Sequence, residues 1–187
     1  MIAMKNKLSI KKLVTFVLGT LVFGISFGQV APAPKIEVKQ IDAQKAVVIK
    51  LKVTAATIVQ QMGEAYGKLF SYLGTNSIQP AGSPFSVYYE FNPQGDIVFE
   101  AGIPISAAVK GSEEIIYKEF AAMKVVSTLY IGPYEKEAPI YDMLHKYLKD
   151  NNLDSTGTPW EVYLTNPAQE TDPSKYQTLI YFPLKSK

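Results

Sequence analysis

The chain has 187 residues, of which 47% are apolar and 19% charged; that is enough for one single-core domain and too apolar to remain unfolded. With no cysteine and one histidine, a disulfide scaffold, a thiolate nucleophile and a Cys- or His-rich metal centre are excluded, and no cofactor is expected. All 19 basic residues are lysines, set against 17 acids for a net charge of +2. Without an arginine fork to read guanine or clamp a phosphate, nucleic acid is not an expected partner.

The chain opens with Lys5, Lys7, Lys11 and Lys12 ahead of the apolar run Leu13 to Phe27, and Ser26 and Gly28 stand where a signal peptidase reads small side chains. That run has 15 residues, about 22 Å as a helix, short of the roughly 20 residues a membrane span needs. The expectation is a signal peptide at 1–28, a spacer at 29–35 containing Ala31-Pro32-Ala33-Pro34, and a domain at 36–187 exported to the periplasm or the medium. Loss of the four lysines would leave a net charge of −2, which attracts neither DNA nor an anionic membrane surface.

Past the spacer the chain repeats itself. Tyr66, Leu69, Tyr72, Leu73, Asn76, Gly82, Pro84, Val87 and Tyr88 recur 75 residues later as Tyr141, Leu144, Tyr147, Leu148, Asn151, Gly157, Pro159, Val162 and Tyr163. Asn92-Pro93 recurs as Asn166-Pro167, and Ile103-Pro104-Ile105 is answered by Phe182-Pro183-Leu184. Two copies of so long a period indicate a duplicated supersecondary unit, repeat 1 at about 36–109 and repeat 2 at about 110–187.

Within repeat 1, residues 46–53 alternate as a strand with Val47, Ile49, Leu51 and Val53 on one face, and Ile58, Met62, Ala65, Leu69 and Leu73 then mark a helix from about 54 to 73. Strands at 85–91 and 97–103 follow, joined by the turn at Asn92-Pro93. Repeat 2 gives a strand at 122–131, a helix at about 137–150, and strands at 160–165 and 177–183. Pro139 suits the first turn of its helix, and Glu135 and Glu137 lie where the helix dipole favours negative charge. A unit of about 75 residues is marginal alone, so the two should share a sheet. The expected fold is α+β: a tandem strand-helix-strand-strand duplication forming one curved antiparallel sheet, with two helices on one face and a ligand groove on the other.

The run Val126 to Glu135, then Tyr141-x-x-Leu144, then Gly157-x-Pro159-Trp160-Glu161-Val162-Tyr163-Leu164-Thr165-Asn166-Pro167 resembles the GyrI-like small-molecule-binding domain. That is the effector-binding module of activators of the BmrR and AraC/Rob type, and the resemblance covers roughly residues 36–184. It implies a pocket lined by aromatics and one acid that receives lipophilic cations; some free-standing members resemble hydrolases of cyclopropane-bearing toxins. These 187 residues leave no room for a helix-turn-helix domain, and the signal-like segment opposes a role in transcription.

The family's pocket carboxylate falls on Glu161. Along its strand Trp160, Val162 and Leu164 share one face, while Glu161, Tyr163 and Thr165 share the other. With the apolar set on the helices, Glu161 and Tyr163 would face the groove. Tyr88, the copy of Tyr163, with Tyr134 and Tyr181, would complete a cage, and Trp160 would pack with the core like its copy Phe85. Tyr66, Tyr72, Tyr141 and Tyr147 read as core and His145 as solvated, while Glu90 and Glu100, on first-repeat strands, read as solvated ahead of the alternative of a second acid in the groove. Two readings follow: binding of an amphipathic, cationic small molecule anchored on Glu161, or hydrolysis of a strained-ring or ester-like substrate using the same glutamate.

Overall fold

The computed structural model describes residues 34–186; the signal-like segment 1–28 and the spacer up to residue 33 lie outside the described residues. The elements are β1 Ile36–Ile41, β2 Gln44–Thr54, α1 Ile58–Thr75, β3 Phe85–Phe91, β4 Asp96–Ile105, β5 Ile116–Phe120, β6 Met123–Ile131, α2 Ala138–Asp150, β7 Trp160–Tyr163 and β8 Gln177–Pro183. They build the expected duplicated unit, with two short additions: β1 and β5, one opening each repeat. The strands form one antiparallel sheet in the order β1-β6-β8-β7-β3-β4-β2-β5. Each repeat therefore contributes its first strand to the far edge of the other repeat's half.

That exchange forces the sheet to curl. Ile36 to Ile41 pair with Thr128 to Met123, and Gln44 to Val48 pair with Phe120 to Ile116. The two ladders keep one register across links of only two residues, Asp42-Ala43 and Ala121-Ala122. Two linking residues reach about 10 Å at most, yet they join strands from opposite ends of the sheet order. The ends must come together, which bends the sheet into a half-barrel.

Both faces of the curled sheet are consequently apolar. On the outer face Val47, Ile49 and Val53 meet Ala65, Leu69 and Leu73 of α1, and Val126, Ile180 and Phe182 meet Leu144 and Leu148 of α2. Each fully buried leucine of that set contributes about 1.5–3 kcal/mol relative to exposure. The inner face holds its own cluster of Ala46, Val48, Phe85, Val87, Val125, Trp160 and Tyr181. There Phe85 stacks on Trp160 at 5.0 Å, and Phe120 sets its edge against both rings at 5.5 and 4.7 Å. Gly102 makes room for this stack, since a Cβ there would lie 2.4 Å from the Phe85 ring.

The helices differ at their starts and agree at their ends. α1 begins at Ile58 rather than near residue 54, because Thr54 closes β2 and a turn in which the Thr57 N–H donates to the Thr54 carbonyl at 3.0 Å intervenes. Both helices run past their last leucine to an asparagine. The side-chain amides of Asn76 and Asn151 donate to the carbonyls of Tyr72 and Tyr147 at 2.8 and 2.9 Å, and the next residues, Ser77 and Asn152, take φ of 56° and 53°. This duplicated cap satisfies the last carbonyls without glycine.

Candidate functional site

The pseudo-twofold axis of the duplication passes between β3 and β7, where Ser86 pairs with its own copy, Glu161. The two repeats therefore bring their copied side chains face to face here. On the helix side, the Tyr66 hydroxyl donates to the Phe85 carbonyl at 2.7 Å and lies 3.2 Å from the Ser86 hydroxyl. Its copy Tyr141 donates to Glu161 Oε1 at 2.5 Å. Tyr163 and Tyr88 donate to Glu161 Oε2 at 2.8 and 3.1 Å, and their own hydroxyls are 3.5 Å apart. The Glu161 carboxylate, 7% exposed, is thus held by three phenols, and no lysine pairs with it among the described residues. Burial first, and the charge of Glu161 next, raise the phenol pKa values of Tyr88, Tyr141 and Tyr163 well above their ordinary range. These hydroxyls remain donors at any physiological pH.

A second acid meets the first. Glu137, 6% exposed, caps the start of α2 but makes no side-chain cap hydrogen bond. It lies on the inward stripe of that helix with Tyr141, Leu144 and Leu148, and the Glu161 carboxylate is close enough for its charge to act on it. Glu137 Oε1 and the nearby Thr178 Oγ1 are buried with no hydrogen-bond partner. Buried beside another acid and without a donor, the Glu137 carboxyl is easier to keep protonated than charged. Desolvation, then the charge of Glu161, push the Glu137 pKa up to about 9.

Tyr134 sits in a 3-10 turn, Tyr134–Lys136, that replaces the first turns α1 has in repeat 1. Its ring sets its edge against Tyr163 at 5.7 Å and leans on Tyr176 at 5.3 Å; burial raises its pKa to about 12. Gly132, at φ 150°, lets the chain turn into this segment, and a Cβ there would meet the Tyr130 hydroxyl at 2.5 Å.

Four of the five expected site residues, Glu161, Tyr163, Tyr88 and Tyr134, are therefore together. Tyr181 is not: it belongs to the inner-face cluster and lines a cavity of about 450 Å³ there, with Trp160, Phe85, Val162 and Met123. The face assignment is also corrected. Trp160 and Val162 point to the inner face, so Glu161 and Tyr163 lie under the helices instead of opposite them. Alternation along β7 separates the two sets correctly, but with apolar cores on both faces it could not say which set the helices cover. Two residues read as core or helix-end features, Tyr141 and Glu137, are at the site. The signal available for Glu137 was an acid standing in step with the inward positions 141, 144 and 148, at intervals of four, three and four residues. Glu100 is not solvated either: 8% exposed on the inner face, it accepts from Tyr89 at 2.7 Å and pairs with Lys118 at 2.7 Å. Glu90 and His145 are exposed as expected, and among the described residues no group of acids and histidines could hold a metal.

Comparison with known proteins places this geometry. The chain is similar in fold to the EcmrR C-terminal domain (19% identity, TM-score 0.69, 83% of this chain and 99% of that one). It is also similar to a hydrolase from Listeria innocua (13%, 0.61, 83% and 94%) and to SAV2435 bound to tetraphenylphosphonium (14%, 0.55, 81% and 94%). No curated protein matches the chain by sequence. The family described as the GyrI-like small molecule binding domain matches residues 34–185, all but one of the described residues, and the chain belongs to that family.

Proposed function

We propose that the domain binds amphipathic cationic small molecules, with the positive centre at Glu161 and the apolar rings among Tyr88, Tyr134 and Tyr163. The observation that carries this is a buried carboxylate whose hydrogen-bonding partners are neutral phenols, beside a second acid with an unpartnered oxygen. Such a centre has donors enough to be stable empty, and lacks only a positive charge. SAV2435, similar in fold, is bound to a lipophilic cation of this class. Tyr134, half-buried in its short turn with its edge against Tyr163, is the side chain to move for access, since Leu144 and Leu148 are buried in the α2 core.

Titration calorimetry with tetraphenylphosphonium, and with neutral triphenylphosphine oxide as the control, tests the reading. Glu161→Gln keeps shape and removes charge. Loss of a buried charge partner costs about 2–5 kcal/mol, some thirtyfold to several thousandfold in affinity, and should fall on the cation alone. Equal loss for both probes, or a loss below tenfold, would refute the anchor.

Hydrolysis remains the second reading, favoured by the carboxyl pair. Glu161 would take a proton from water as that water attacks an ester-like carbon or strained ring, and protonated Glu137 would give its proton to the leaving oxygen or carbon. Turnover of such a substrate that is lost in both Glu137→Gln and Glu161→Gln would favour it over binding. Export is proposed on the sequence of residues 1–28 alone.

A further inference from the structure

We propose that the site exchanges a proton for its cation: Glu137 is a second binding carboxyl, neutral in the empty protein and ionised when the cation arrives. The inference rests on the binding reading and concerns how that site is regulated. Glu161 already accepts three phenol hydrogen bonds, whereas Glu137 Oε1 has no partner; of the two acids Glu161 is the one whose charge is supported, and Glu137 the one that keeps a proton. Glu137 Oε1 is buried and without a donor, and Glu161 is close enough for its charge to act on this carboxyl. A cation placed against Glu161 therefore also acts on Glu137, where it offsets the desolvation, and the repulsion from Glu161, that hold the proton in place.

The groups around the pair leave Glu137 as the one that changes. Tyr88 on β3, Tyr141 on α2 and Tyr163 on β7 ionise well above the ordinary phenol range, Tyr130 on β6 is raised, and Tyr134 lies at about 12. Thr178 on β8 does not titrate, Met62 and Tyr66 come from α1, and Glu135, Lys136 and His145 are exposed. With Glu137 ionising near 9 in the empty site, a bound cation pulls that value down. Between the two values one proton leaves for each cation bound, and the affinity rises by up to tenfold per pH unit.

Calorimetry of tetraphenylphosphonium binding at pH 6, 7 and 8, in phosphate and in Tris, counts the protons from the difference in buffer ionisation heat. The expected result is release approaching one proton per cation, with affinity climbing over the series. Glu137→Gln should bind with no proton release and a flat profile, and Glu137→Met, which installs the residue found at this place in the first repeat, should behave alike. His145→Gln should keep the wild-type slope. Binding without proton release in the wild type would overturn the exchange while leaving the cation site standing. Absence of binding at every pH would overturn both. The wild-type proton count decides the matter even if neither Glu137 variant folds.

Discussion

The carboxyl pair also predicts an unusual pH dependence of stability in the ligand-free protein. Glu137 is 6% exposed with one oxygen unpartnered, and its pKa is pushed up to about 9 from the ordinary carboxylate value of 4.5. Below about pH 4.5 both folded and unfolded chains carry the proton, and the stability contribution is fully present. Above it the unfolded chain ionises while the fold retains the proton, so stability falls by up to about 1.4 kcal/mol per pH unit, until the folded value is passed. From pH 4.5 to 7.5 the ceiling is therefore about 4 kcal/mol, and relaxation with water entry brings the expected loss to about 1–3 kcal/mol. Glu137→Gln removes that loss. Its amide N–H can donate toward the neighbouring Glu161, and its carbonyl can accept from the neighbouring Thr178, so no new unpaired group is created. Urea denaturation of both proteins at pH 4.5, 6, 7.5 and 9 reads the effect as a difference. The variant should gain on the wild type by about 1–3 kcal/mol between the first and third points, about 2–10 °C in Tm for a domain of this size. Parallel curves across the series would show that Glu137 ionises normally and that the carboxyl contact is wrong.

Three further outcomes follow. Tyr141→Phe should weaken cation binding more than Tyr66→Phe, because the first removes a donor to Glu161 and the second a donor to a backbone carbonyl and Ser86; similar losses by calorimetry would oppose the asymmetric site. Gly102→Ala should cost about 1–3 kcal/mol or more by overpacking the Phe85 ring, with a changed near-ultraviolet signal from Trp160, the single tryptophan; an unchanged spectrum would mean the inner stack yields easily. Expressed in a diderm bacterium, the chain should be recovered outside the cytoplasm with Gln29 first, and an intact full-length mass in the cytosol would refute export.

The duplication was legible because its signature residues are the ones the fold needs twice: Tyr66 and Tyr141, the cap residues Asn76 and Asn151, and Pro84 and Pro159 ahead of the central strands. β1 and β5 were not, since IEVKQI and IYKEF are short, half-polar edge strands whose place depends on the other repeat. No local pattern states a partner about 80 residues away. Glu161 was found because a family resemblance marked it, but its surroundings were misread. Period-2 alternation says that two residues share a face, and nothing about what covers it. In a sheet that curls far enough to build a second core from Phe85, Trp160 and Phe120, the apolar side of β7 is the inside of the half-barrel. The mixed side faces the helices.

The same symmetry explains why one acid became two. A duplicated fold places each side chain opposite its copy at the axis, so every substitution there sets up an unequal pair. The first repeat keeps Ser86 and Met62 at the places of Glu161 and Glu137, and Tyr66 satisfies itself on a backbone carbonyl. With acids at both places, the second repeat would bury two charges under one helix. Three phenols satisfy one of them, and burial, then the charge of the first, raises the pKa of the other to about 9. Tyr88 belongs to the first repeat, yet its hydroxyl crosses the axis to Glu161; the inherited tyrosine pair thus serves an acid that only one repeat carries. An axis occupied by copies of equal character would pack as core. Here the inequality between the copies makes the centre of the molecule polar, and on the proposed reading that polar centre is where a small cation enters.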